Sequence, residues 1–262
     1  MPSRERIHPE DIGMIGVGRF GSYFADQLVR VGHRVQRADV RDAPTTRAAA
    51  LARACGSSIV IYAVPIRELE RAIAETRDLL APDAVVMDVC SVKIIPCDVL
   101  ERHLPNMATV GTHPLFGPQS APVSCAGQRV AVCALAGSIG ATAGEAAAAR
   151  VAALLDSLDL DVVRCTPTEH DTQVARTQFL THFIGRGAVR AHIDRLPLST
   201  KSHDALMDIV DVVKNDSMEL FEDMAAFNPM VKAVRSEFLA ALEAIDEQLA
   251  DRENAVSSRI AD

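Results

Sequence analysis

The feature that most narrows what this chain can fold into is Gly16-Val17-Gly18-Arg19-Phe20-Gly21, set between the apolar run Ile12 to Ile15 and an amphipathic stretch from Tyr23 to Val31. Gly-x-Gly-x-x-Gly is informative only in that setting. Between a strand and a helix, the first glycine permits a tight turn, the second lets the backbone approach a pyrophosphate, and the third lets helix and strand pack closely. The helix N-terminus then offers free N–H groups and the positive end of its dipole to an anion. Arg34 to Val40 reads as the next strand, and Asp39 near its end is placed to accept from a ribose hydroxyl. Gly16, Gly18, Arg19, Phe20, Gly21 and Asp39 are therefore expected to hold a dinucleotide. An acid at position 39 favours NAD by repelling a 2′-phosphate, while the flanking Arg37 and Arg41 leave NADP open.

The rest of the first half continues in the same rhythm. Ser58 to Val64, Ala84 to Val89, Thr109 to Thr112, Gln128 to Ala134 and Asp161 to Arg164 read as strands, with helical patterns between most of them. Strands alternating with helices predict βαβ units and a mainly parallel sheet covered on both faces, an α/β Rossmann-type architecture. Val64 and Pro65 then fall at the carboxyl end of a strand, where such sheets bind their ligands. At Thr166-Pro167-Thr168-Glu169 the pattern changes: Thr as N-cap, Pro at the first helical position and Glu at the third form a capping box. Beyond it the periodicity is helical, over His170 to His192, Ala205 to Phe227 and a final helix from Val231, with a charged tail from Asp251 expected to fray. The expected organisation is a dinucleotide-binding domain over residues 1–165 and a helical domain over 166–262, whose apolar stripes imply a homodimer.

Composition excludes several classes. With 27 basic against 35 acidic side chains and no basic block, the chain has no nucleic-acid surface in prospect. The longest apolar run, Ile59 to Ile66, is too short for a membrane span, and the mixed charges at the start show no secretory signal. The 6 cysteines form no Cys-x-x-Cys pair, so neither a metal site nor a disulfide framework is expected, and reduced thiols point to the cytoplasm. Neither Tyr23 nor Tyr62 is followed by lysine four residues on, which removes the dehydrogenases that depend on Tyr-x-x-x-Lys.

Two segments carry more polar residues at strand ends than packing requires: Asp88-Val-Cys-Ser91-Val-Lys93 and Gly111-Thr-His113-Pro-Leu-Phe-Gly-Pro118. Together with Glu169-His-Asp, Thr177-Gln-Phe-Leu-Thr-His182-Phe-Ile-Gly-Arg186 and Thr200-Lys-Ser-His-Asp-Ala-Leu-Met-Asp208, they resemble the prephenate and arogenate dehydrogenase family, the plant-type arogenate branch above all. The resemblance runs in order over most of the chain. It implies a Rossmann domain plus a helical dimerisation domain, and NAD(P)-dependent oxidative decarboxylation of a cyclohexadienol. It further implies that His113 is the base or hydrogen-bond acceptor for the substrate hydroxyl, that Ser91 holds the same hydroxyl, and that Gln178 and His182 contact substrate carboxylates. Lys93 is either a charge behind the site or a solvated lysine, and His170 is a structural residue of the capped helix. Asp208 is expected to favour an ammonium-bearing substrate, arogenate, over prephenate. Alternatives are an amino-substituted prephenate as substrate, a β-hydroxyacid dehydrogenase using Lys201, Lys214 or Lys232, and a nucleotide-binding protein without catalysis.

Overall fold

The computed structural model describes residues 9–137 and 139–261; the reading of the first residues as free of a secretory signal lies largely outside them. The apolar runs form β1 (Asp11–Ile15), β2 (Arg34–Ala38), β3 (Ile59–Tyr62), β4 (Val85–Asp88), β5 (Ala108–Pro114), β6 (Arg129–Ala134) and β7 (Asp161–Arg164). They make one sheet in the order β2-β1-β3-β4-β5-β6-β7. Every neighbouring pair is parallel except β5 and β6. No helix separates β5 from β6, so the chain returns through a loop and pairs antiparallel.

Helices α1 (Arg19–Arg30), α2 (Pro44–Cys55), α3 (Ile66–Thr76), α4 (Ile94–His103) and α5 (Ala141–Asp156) cover the sheet. Period-2 geometry divides β3 between two cores. Ile59 and Ile61 pack with Ile12, Met14, Phe24 and Leu28, while Val60 and Tyr62 pack with Leu51, Leu69 and Ile73 on the opposite face. Both faces are buried, which is why this strand reads as a continuous apolar run.

After β7 the described residues are helical: α6 (Pro167–Val174), α7 (Leu180–Arg190), α8 (Lys201–Lys214), α9 (Met218–Ala226) and α10 (Val231–Ala261). The capping box at the start of α6 forms, with Glu169 N–H donating to the Thr166 hydroxyl and Thr166 N–H to the Glu169 carboxylate. Three local expectations are corrected. Between α6 and α7 the residues Ala175–Phe179 adopt a π-helical turn. The helix expected over Ala205 to Phe227 breaks at Asn215–Ser217, where the Ser217 hydroxyl accepts from Leu220 N–H and starts α9; periodicity does not register a cap that competes with continuation. The tail from Asp251 stays helical to Ala261.

Candidate active site

β1 lies between β2 and β3, so the chain leaves it in one direction and returns on the other side, opening a crevice at the carboxyl ends. Gly16 N–H donates to Ala38 O and Ala63 N–H to Ile15 O, each at 2.8 Å, which ties the three strand ends together. Gly16 has φ +97°, a conformation that favours glycine, and a Cβ on Gly21 would lie 2.0 Å from the Gly16 carbonyl oxygen. A Cβ on Gly18 would meet no protein atom within 4 Å. The second glycine therefore borders open space, and α1 begins there without a side-chain cap. Backbone N–H groups over an open cradle fit a pyrophosphate.

The other residues expected in this crevice take unequal places. Val64 abuts Gly16, and Pro65 precedes the first turn of α3. The Phe20 ring is engaged with Phe24 at 5.5 Å and Phe116 at 6.1 Å. Arg19 reaches across to the helical half, its guanidinium donating to Asn215 O at 2.9 Å. Asp39 is buried, and its oxygens accept from Val17 N–H, Arg41 N–H and the Arg41 guanidinium through Nε and Nη2. These donors fill the roughly four acceptor sites of a carboxylate. The Arg41 side chain is the main cause that holds the Asp39 carboxyl down at about 2, with the backbone donors assisting against burial. A ribose hydroxyl thus competes with Arg41 for Asp39, contrary to the open acceptor expected. Arg37 is paired with Asp26 instead.

Two and three strands from β1, β4 and β5 end in a buried polar network. His113 is 3% exposed at the end of β5. Its Nδ1 lies 2.9 Å from His170 Nε2, and His170 Nδ1 lies 2.8 Å from Asp171 Oδ1. Asp171 also accepts from the backbone N–H groups of Lys93 (2.7 Å) and Ile94 (2.9 Å), capping α4 from the helical half. Asn228 Nδ2 donates to Asp171 O at 2.9 Å. Beneath, the Lys93 ammonium is fully buried, pairs with Asp88 and donates to Thr112 O at 2.6 Å. Burial, then the neighbouring His170 and the Lys93 charge, push the His113 imidazole well below the usual histidine range. His113 is therefore neutral at ordinary pH and able to take a proton. Ser91 sits half-buried in the turn between β4 and α4, following the strand next to that of His113.

A second polar cluster lies on one stripe of the helical half. The buried polar atoms Gln178 Oε1, His182 Nδ1 and Arg186 Nε have no hydrogen-bond partner among the described residues. An unsatisfied buried polar atom costs about 1–3 kcal/mol, and this stripe starts in the π-helical turn, a distortion that recurs at functional sites. His182 Nε2 lies 3.6 Å from the Asp216 carboxylate, which also accepts from Gln119 Nε2 at 3.0 Å. Arg186 donates to the carbonyls of Asp216 and Ser217 at 2.8 and 3.0 Å. Burial lowers the His182 pKa, with Asp216 opposing.

Several expectations are corrected by this geometry. Of the two readings of Lys93, the solvated one is overturned, since Lys93 is a buried ion-pair partner; His170, expected to be structural, is hydrogen-bonded to His113. Asp208 is 75% exposed and held by Arg195 together with Asp204 and Asp211. The carboxylate beside His182 belongs to Asp216. Asp88, Gln119, Asp171, Asp216 and Asn228 were not singled out from sequence as site residues; the one available signal was Ser217 as an N-cap, which would have marked the break that carries Asp216 inward.

A dinucleotide crevice whose sheet also ends on a buried neutral imidazole is the equipment of an NAD(P)-dependent dehydrogenase. The sequence comparisons narrow this. Residues 27–133 match the family description "prephenate dehydrogenase, nucleotide-binding domain", and residues 189–260 match "TYRAAT1-like, C-terminal domain". Arogenate dehydrogenase 2, chloroplastic, of Arabidopsis thaliana is 26% identical over 92% of this chain and 70% of its own length. Arogenate dehydrogenase 1, chloroplastic, of the same plant is 27% identical over 92% of this chain but only 39% of its own length. The fold is that of prephenate dehydrogenase from Aquifex aeolicus, solved with hydroxyphenyl propionate and NAD+ (TM-score 0.72, 18% identity, 95% of this chain and 94% of that one). Residues 27–133 carry the nucleotide-binding domain of the prephenate dehydrogenase family, and most of the chain is similar to arogenate dehydrogenases.

Proposed function

We propose that this site oxidatively decarboxylates a cyclohexadienol carrying a ring carboxylate, with arogenate preferred over prephenate. The observation that carries the reading is His113, buried and neutral at the end of β5, three strands from the glycine turn. The dinucleotide, when bound, supplies the hydride acceptor. His113 takes the hydroxyl proton as hydride leaves the carbinol carbon, and Ser91 holds the same oxygen. The ring C–C bond to the carboxylate breaks, CO₂ leaves, and its electron pair completes an aromatic ring; that gain drives the step without a metal. Gln178 and His182 are assigned to the substrate, whose polar groups satisfy the buried atoms left unpaired on that helix face.

Preference for arogenate rests on Asp216. It is a half-buried carboxylate beside His182, suited to an ammonium and unsuited to a second anionic keto acid. We assign cofactor preference to NADP, because Asp39 is saturated and the Arg41 side chain that pairs with it is 72% exposed, leaving a guanidinium at the end of β2 for a 2′-phosphate. The reading takes residues 1–165 as the dinucleotide domain and 166–262 as the substrate domain. Leu242, Ile245 and Leu249 line an exposed face of α10, and Leu242 also borders an apolar groove of about 910 Å³ between α7, α8, α9 and α10. A second copy of the chain is the proposed cover. The six free cysteines support a reducing, cytoplasmic setting, and no helix among the described residues is long and apolar enough to cross a membrane.

The test is reduced-nicotinamide formation with arogenate and prephenate, each offered with NAD+ and NADP+. Turnover of arogenate with NADP+ is the expected result. Binding of cofactor with no turnover of either acid overturns the reading and returns an amino-substituted prephenate as the substrate to try.

A further inference from the structure

The proposed reaction assigns no role to Asp171 and His170, yet both are buried and held in place. His113, His170, Asp171 and Asn228 are each at most 4% exposed. Asp171 cannot rotate without losing the Lys93 and Ile94 N–H bonds that close the N-terminus of α4, and Asn228 restrains its carbonyl. Proton bookkeeping then follows from which groups can donate. An ionised carboxylate only accepts, so His170 Nδ1–H donates to Asp171 at 2.8 Å. The neutral His170 ring therefore presents a lone pair at Nε2. At 2.9 Å from that lone pair, His113 Nδ1 must carry the hydrogen. The remaining His113 nitrogen, Nε2, is left bare. A charged His170 would reverse this; burial, the largest influence, and the Lys93 charge work against a cation there and outweigh the Asp171 hydrogen bond and the Asp171 and Asp88 charges that favour one.

We propose that Asp171 and His170 are positioning residues that hold His113 in the single tautomer whose Nε2 is free to take the substrate's hydroxyl proton. The proposal rests on the reading of His113 as the base. When that proton arrives on Nε2, Nδ1–H stays on His113 and strengthens its bond to His170, whose own N–H is anchored on Asp171. The imidazolium is thus stabilised by a neutral acceptor backed by a carboxylate, with no second proton transfer. A helix-capping residue, Asp171, is in this way also an electrostatic part of the base. The two halves of the chain meet here, so the tautomer is set by the helical half and used in the dinucleotide half.

Two variants and one spectrum test this. ¹⁵N NMR of the imidazoles in the whole protein, without substrate, should show His113 protonated at Nδ1 and bare at Nε2. His170→Leu should release that preference and lower kcat on the order of 10²- to 10⁴-fold, the scale of a wrong tautomer in hydrolytic triads, with KM little changed. His170→Gln, whose amide oxygen can accept from His113 Nδ1–H, should recover about tenfold or more of the loss. Cofactor binding monitors folding; should the leucine variant fail to fold, the glutamine variant and the parent spectrum decide. A parent His113 protonated at Nε2, or a folded leucine variant with kcat within about threefold of parent, overturns the proposal. Absence of turnover in the parent would instead remove the substrate reading, while the spectrum still judges the tautomer.

Discussion

Lys93→Met isolates the buried ion pair beneath the site. In the parent, the Lys93 ammonium touches the Asp88 carboxylate and Thr112 O, and neither side chain of the pair has any solvent exposure. Methionine fills most of the volume but leaves Asp88 with the Cys90 N–H at 2.9 Å and a long Thr112 N–H at 3.3 Å. Removing one partner of a buried pair costs about 3–5 kcal/mol, chiefly because the other charge stays in low dielectric. Set against a total stability of about 5–15 kcal/mol, the variant should fold but melt early. At about 2–4 °C per kcal/mol the melting temperature should drop by about 6–20 °C. Asp88→Asn combined with Lys93→Met should lie closer to parent than Lys93→Met alone, because no charge is then stranded. Kinetics adds a second readout. Lys93 is one of the charges holding His113 neutral, so its loss should move the acid limb of kcat/KM to higher pH. Melts of the three proteins and one pH profile are sufficient. A single variant within about 1 kcal/mol of parent, with an unmoved acid limb, would refute both the energetic reasoning and the electrostatic one.

Gly21→Ala drives a methyl into the Gly16 carbonyl and should weaken dinucleotide binding by about tenfold or more in a fluorescence titration; unchanged affinity would show that the turn relaxes freely. Asp216→Asn removes an ion pair worth about 1.5–3 kcal/mol, so the arogenate-to-prephenate ratio of kcat/KM should fall about 10- to 100-fold, whereas Asp208→Asn should leave it alone. The opposite ranking would return selectivity to Asp208. His33, His113, His170 and His182 all have pKa values lowered from 6.5, burial being the first cause in each. The unfolded chain then binds more protons below that pH, so stability should be level above it and fall as pH drops, by at most about 1.4 kcal/mol per pH unit for each histidine. Urea midpoints that rise on acidification from neutrality would contradict this sign. Leu242→Asp places a charge on the exposed apolar face of α10 and should shift the protein to monomer by light scattering; an unchanged mass would move the interface elsewhere.

The glycine turn, the strand that ends on His113 and the Thr166 capping box are legible in the residues because each is a local arrangement, complete within a few positions of the chain. So is the change from alternating strands to helices after Arg164. What local pattern cannot express is which distant groups share a bond. His170 and His113 are 57 positions apart, and Asp171 caps a helix that begins 77 positions earlier. Lys93 is polar by composition, and only the packing of β4 against β5 shows that its charge is enclosed.

The acidic stretch illustrates the same division. Asp204, Asp208, Asp211 and Asp216 are equivalent as letters, and the residues by themselves determined only that carboxylates cluster in this region. Tertiary structure separates them. Arg195 holds the first three on an exposed face, while the Ser217 cap breaks the helix and turns Asp216 toward His182. Sequence dictates the chemistry available and the local geometry; burial and charge pairing, which are sums over the whole fold, select the groups that remain free to act.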